Sequence, residues 1–135
     1  MIRLAVDRTL GRRFVEQLRA GGLEVTTLAD VWGDGAGQRS DLDWIRWVGA
    51  RRRVALTADE SIRHLRTKRD AIMAVRLQVC CFPHANLTAA EQSRRVLALR
   101  PAIERLATER PGPWLAALYD DRLAITWPVR ITGSA

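Results

Sequence analysis

An α/β domain around a mostly parallel sheet is expected for this chain on three grounds. Short apolar runs of strand length alternate with helical runs in the order β-α-β-α-β-α-β-α-β-β, the pattern of strand–helix–strand units. The first and third runs, Ile2–Val6 and Arg53–Thr57, read as buried strands rather than half-exposed ones. Each is followed by an acid, Asp7 and Asp59. In an open parallel sheet the ligand crevice lies at the carboxyl ends of the strands, where these acids would stand.

The elements follow in order. After the strand Ile2–Val6, Asp7 or Thr9 is expected to cap a helix over Leu10–Ala20, whose Leu10, Phe14, Val15 and Leu18 recur at helical spacing. Gly21 and Gly22 stop it, and Leu23–Leu28 is a second strand rich in β-branched residues. Ala29–Ser40 reads as a loop. Its Gly33, Gly35 and Gly37 resemble a phosphate-cradling string, but no Gly-Lys-Ser/Thr follows, so a flexible rim near the site is the preferred reading. Ser40 or Asp41 caps a helix over Leu42–Ala50, and Arg51, Arg52 and Arg53 suit its negative end. After the third strand, Asp59 or Ser61 starts a short helix toward Leu65, and a second runs over Thr67–Val75. Leu77–Phe82 is the fourth strand. Thr88 and Glu91 have capping-box spacing for a helix to about Thr108, which Pro101 should kink or divide. Trp114–Tyr119 and Leu123–Trp127 flank Asp120-Asp121-Arg122 as a hairpin. Residues 1–128 form one domain and 129–135 a loose tail.

Composition narrows the partners. Twenty-two basic residues stand against 15 acids, for a formal charge of +7. Lys68 is the single lysine and the rest are arginines, whose planar fork suits phosphate oxygens. The stretch Arg51–Arg69 holds seven basic residues and two acids, so a polyanion, nucleic acid first, is the expected ligand; a solvated helix face is the other reading. No apolar run reaches the roughly 18–20 residues that span a bilayer. Asp7 comes too early for a signal peptide, and a cytoplasmic, non-membrane protein is expected. The adjacent Cys80 and Cys81 would point to opposite faces of a strand and read as small core residues. Trp44, Trp47 and Trp114 could stack on unpaired bases, with core or interface packing preferred.

Any one acid at a helix start is ordinarily a cap. Asp7 and Asp59 together carry more, because they follow neighbouring parallel strands. Carboxylates brought close repel unless a cation or a proton intervenes. Oxygen ligands without cysteine or histidine suit Mg2+ or Mn2+, and in basic surroundings that is the layout of a metal-dependent phosphodiesterase.

Val6-Asp7-Arg8-Thr9-Leu10-Gly11, Asp41-Leu42-Asp43-Trp44-Ile45 and Leu56-Thr57-Ala58-Asp59, in this order, resemble the spaced acidic motifs of PIN-like domains, in particular the compact branch of VapC-type toxins. The resemblance runs from Ile2 to about Trp127. It implies a three-layer α/β/α sandwich with a C-terminal β-hairpin, and a ribonuclease that cuts single-stranded RNA with metal-activated water, using Mg2+ or Mn2+. It implies Asp7, Asp41 and Asp59 as the catalytic, metal-binding acids, with Asp43 competing for the place of Asp41. A fourth acid is not obvious; Asp70 is the candidate, and a salt-bridged helix residue is its other reading. Arg8, Thr57, Arg63, Arg66, Lys68 and Arg69 are the candidate substrate contacts, and His64 reads as a surface histidine. A cognate antitoxin is the implied protein partner, and a homodimer stays open. The alternative is a PIN-like module with an incomplete acidic site that binds nucleic acid or protein without cutting.

Overall fold

Side chains alternate across a strand, and in the computed structural model, which describes residues 2–84 and 86–128 apart from the Arg63 side chain, that alternation sorts the core into two layers. Strand β1 (Arg3–Val6) turns Leu4 and Val6 to one face and Ala5 to the other. Strand β3 (Val54–Thr57) does the same with Val54 and Leu56 against Ala55. On the first face lie helix α1 (Arg12–Ala20) and helix α5 (Ala89–Glu109), which bury Phe14, Leu18, Val96 and Ile103. On the second lie helix α3 (Asp41–Ala50) and helix α4 (Arg66–Val75), which bury Ile45, Val48 and Ile72. The result is the three-layer α/β/α sandwich. Each fully buried Leu or Phe contributes roughly 1.5–3 kcal/mol to it.

With β2 (Glu24–Thr26), β4 (Gln78–Cys81), β5 (Trp114–Leu118) and β6 (Leu123–Trp127), the sheet has six strands in the order β2-β1-β3-β4-β5-β6. All pairs are parallel except the closing hairpin β5–β6. Cys80 is buried in the sheet core, and the Cys81 thiol donates to the Asp59 carbonyl at 3.8 Å. Trp44 and Trp114 are also core residues, which leaves them no free face for a base.

Several expected boundaries move. Gly11, with no side-chain cap, precedes α1; Asp7 and Thr9 are not its caps because each is hydrogen-bonded to the other. The strand expected over Leu23–Leu28 stops at Thr26, because Thr27 and Asp30 form a capping box that starts helix α2 (Leu28–Trp32). The expected loop 29–40 is therefore largely helical: α2 runs into a 3-10 helix, Gly33–Gln38. Helix α5 is continuous through Pro101, with Val96 and Ile103 buried on either side to carry it across. Thr88 accepts from the Glu91 N–H at 3.1 Å, but the Glu91 carboxylate turns to Arg94 and Arg95. The expected tail, 129–135, lies outside the described residues.

Candidate active site

The chain goes from β1 to β2 on one side and comes back to β3 on the other side of β1. Strand order thus reverses between β1 and β3, and the crevice of an open α/β sheet lies outside the carboxyl ends at such a reversal. Asp7 directly follows β1 and Asp59 follows β3 by two residues. The Asp7 N–H donates to the Leu56 carbonyl at 3.2 Å, so the two chain ends leave the sheet in register.

Both acids are held by the same local device. Oδ1 of Asp7 accepts from the N–H of Thr9 at 2.9 Å and from its hydroxyl. Oδ1 of Asp59 accepts from the N–H of Ser61 at 2.9 Å and from its hydroxyl at 2.6 Å. Such Asx-type turns tie a carboxylate to the backbone two residues on. Oδ2 of each carboxylate takes a different partner. Oδ2 of Asp7 accepts from the hydroxyl of Thr57 at 2.5 Å, and that hydroxyl in turn accepts from the Asp59 N–H at 3.0 Å. Burial raises the Asp7 carboxyl above the ordinary carboxylate pKa, and nearby Asp41 adds to this, while Thr57 and Thr9 pull it down. Burial also acts upward on Asp59, but Ser61 and Lys68 outweigh it and hold its carboxyl below the ordinary range.

Asp41 reaches the same place from the first turn of α3. Ser40 caps that helix in a reciprocal box with Asp43, whose carboxylate accepts from the Ser40 N–H. The box occupies Asp43 and leaves Asp41 to the crevice. Oδ2 of Asp41 lies 2.9 Å from Nζ of Lys68, and Oδ2 of Asp59 lies 2.9 Å from the same nitrogen. Arg8 stands 3.7 Å from Oδ1 of Asp41 and donates to the Arg39 carbonyl.

The other expected residues divide. Thr57 is fully buried and its hydroxyl donates to Asp7. Lys68 faces the acids. Arg66 and Asp70, each two residues from Lys68, lie about 200° around α4 from it, where they pair with one another at 3.8 Å. Asp70 is 62% exposed and does not join the acidic set, and Arg66 points away from it. Arg69 is half-buried on α4; the Arg63 side chain lies outside the described residues. Thr9 and Ser61 are the residues that sequence reasoning missed. Their signal is Asp-x-Ser/Thr after both strands, in Asp7-Arg8-Thr9 and Asp59-Glu60-Ser61.

Carboxylate and hydroxyl oxygens are hard donors that fit Mg2+ or Mn2+. The Lys68 ammonium marks a cation's place between Asp41 and Asp59, with Asp7 linked to Asp59 through Thr57. Among the described residues, no three Asp, Glu, His or Cys side chains stand close enough to hold one ion together. A cavity of about 550 Å3 opens beside Asp7, floored by Val6, Leu10, Val15 and Leu28, with Arg8 and Arg12 on its walls.

Residues 2–84, which include every residue of this cluster, match a family model described as a PIN like domain. Over 120 residues the chain is 29% identical to a protein of Mycobacterium tuberculosis named "Putative ribonuclease VapC45". The match covers 87% of this chain and 86% of that protein. No solved structure gives a significant match.

Proposed function

The chain belongs to the PIN-like domain family, and we propose that it is a metal-dependent endoribonuclease, the toxin of a toxin–antitoxin pair. The observation that carries this reading is the arrangement of Asp7, Asp41 and Asp59 around one crevice at the strand-order reversal, with Lys68 bridging Asp41 and Asp59 and Thr57 linking Asp7 to the Asp59 backbone. The name of the M. tuberculosis relative supports RNA as the substrate, as does the excess of arginine over acid.

Asp7, Asp41 and Asp59 are the residues that would hold Mg2+ or Mn2+. Such an ion, when bound, polarises a phosphodiester and lowers the pKa of an attacking water. The chain's own residues prepare the place. Thr9 and Thr57 fix both oxygens of Asp7, so its direction does not depend on the ligand. Lys68 balances Asp41 and Asp59, and a divalent ion must compete with its ammonium. Arg8, at the edge of the cavity beside Asp7, offers a cation to the entering phosphate chain. The cavity's apolar floor gives a base next to that phosphate a dry surface.

The test compares RNA cleavage and cell growth on expression of the wild type, Asp7→Ala and Asp59→Ala, with and without Mg2+ or Mn2+ in the cleavage assay. Loss of cleavage and of growth arrest in both variants supports the reading. Equal behaviour of all three, with no metal dependence, sinks it. RNA binding should also weaken as salt rises, because arginine contacts release counterions from phosphates.

The second reading is a PIN-like module that binds nucleic acid or a protein partner without cutting. The observation on its side is that no three metal-binding side chains converge among the described residues, while an ammonium already neutralises two of the acids. Metal-independent RNA binding by a wild type that never cleaves would establish it.

A further inference from the structure

At the opposite end of the sheet, ahead of the first residues of β3 and β4, lies a cavity of about 520 Å3 lined by Arg52, Arg53, Arg76 and Gln78 and bordered by Gly49 and Gly112. No acid lines it. Among the described residues no carboxylate pairs with any of the three arginines. The close wall is a glycine of necessity: a Cβ on Gly112 would stand 2.0 Å from the Arg76 carbonyl oxygen.

Arg53 carries the signal. Its Nε and Nη1 are buried and have no hydrogen-bond partner among the described residues. Its guanidinium lies over the Trp47 ring at 5.5 Å, which orients the plane and satisfies no donor. Nor does the end of α3 require it, because the Val48 and Gly49 carbonyls already accept from the backbone N–H groups of Arg51, Arg52 and Arg53. Leaving donors of a charged group buried and unpaired is costly. Arg52 and Arg76 reach the cavity from the ends of α3 and α4, both with φ of 53°. Glycine or asparagine closes a helix in that left-handed conformation with less strain, so helix termination does not explain an arginine at both places.

We propose that this cavity is an oxyanion site that takes a phosphate group, with the half-buried Arg53 as its anchor and Arg52 and Arg76 closing over it. Guanidinium forks match phosphate oxygens two at a time. Three cations with no acid among them suit a phosphate group, whether a doubly charged free ion or monoester or a singly charged diester, because each offers a guanidinium fork at least two oxygens. The phosphate belongs either to a free ligand, such as inorganic phosphate or a mononucleotide, or to an internal position of an RNA strand. No residue of the Asp7 cluster takes part, so the site stands or falls apart from the nuclease reading.

The test is thermal unfolding of the full chain in metal-free buffer at matched ionic strength, with chloride, acetate, inorganic phosphate, AMP or a short oligoribonucleotide with hydroxyl ends. Phosphate or one of the nucleotides should raise the midpoint above chloride, since a ligand of the native state stabilises it. Arg53→Met, which keeps the stem over Trp47, should weaken that binding by about tenfold or more. Arg76→Gln, at the exposed rim, should do the same and guards against a folding defect at Arg53. Asp7→Asn should keep the effect. A response to phosphate and AMP assigns a free ligand, and a response to the oligomer alone assigns a strand phosphate. The absence of any arginine-dependent stabilisation, or an equal response to acetate, overturns the proposal.

Discussion

Nζ of Lys68 lies 2.9 Å from Oδ2 of Asp59, and the same nitrogen is 2.9 Å from Asp41. One ammonium thus answers two carboxylates that come from the end of β3 and the start of α3. Burial of Lys68 acts to lower its pKa, but the two acids outweigh this and raise it, so the side chain stays charged. An ion that needs both carboxylates must displace it.

Lys68→Met should therefore bind Mn2+ more tightly than the wild type, by about tenfold, the equivalent of roughly 1.4 kcal/mol. RNA cleavage should fall in the same variant, because the only lysine near the acids can no longer meet a phosphate. Calorimetric titration of Mn2+ and a cleavage assay read the two effects separately. Weaker Mn2+ binding in the variant would show that Lys68 organises the acids instead of competing for them.

Thr57→Val keeps the shape of a fully buried side chain and removes the hydroxyl that donates to Asp7 and accepts from the Asp59 N–H. The lost charge-assisted bond should cost about 2 kcal/mol of stability. With one fewer donor, the Asp7 carboxyl should titrate still higher, shifting the acid limb of the activity profile to higher pH. Thr57→Ser should restore both. Urea unfolding and a pH–rate profile check this; a valine variant with an unchanged profile would remove Thr57 from the site.

The positions of Asp7 and Asp59 were readable because a parallel strand buried on both faces has a recognisable apolar run, and the residues just after it stand at the crevice by topology. The choice between Asp41 and Asp43 was less open than it looked, since Ser40-x-x-Asp43 has capping-box spacing. The direction of Lys68 was not readable. Arg66, Lys68 and Arg69 are one basic run in sequence, and only the packing of α4 on α3 decides which of them turns to the acids. The helical stretch after β2 was hidden for a related reason. Thr27 and Asp30 announce a cap, but three glycines beyond them obscure the pattern. Nothing local in Arg51-Arg52-Arg53 distinguishes Arg53 as the one whose Nε and Nη1 become buried.

Asp43 and Asp41 should separate cleanly by mutation. Asp43→Ala removes half of the box that starts α3 and should lower stability by about 1 kcal/mol with Mn2+ affinity unchanged. Asp41→Ala should weaken Mn2+ binding at least tenfold, by about 1.4 kcal/mol, with the smaller loss in urea midpoint. The reverse assignment of the two effects would make Asp43 the ligand.

Acid stability gives a further test away from the crevice. The Glu91 carboxylate accepts from Arg94 and Arg95, and these, Arg94 first, hold its pKa down from 4.5 to about 2. A carboxyl with a depressed folded pKa contributes stability in full above its unfolded value and loses it as pH falls toward the folded one. The wild type should therefore lose this contribution between about pH 4.5 and 2. Glu91→Gln should be less stable than the wild type at pH 7, partly because Arg95, buried and also bonded to the Leu118 carbonyl at 3.0 Å, keeps its charge without a counter-ion. The difference between the two proteins should shrink steadily as pH falls through that window. Urea midpoints at pH 7, 4 and 2.5 measure it, and a pH-independent difference would mean that the Glu91 charge does not stabilise the start of α5.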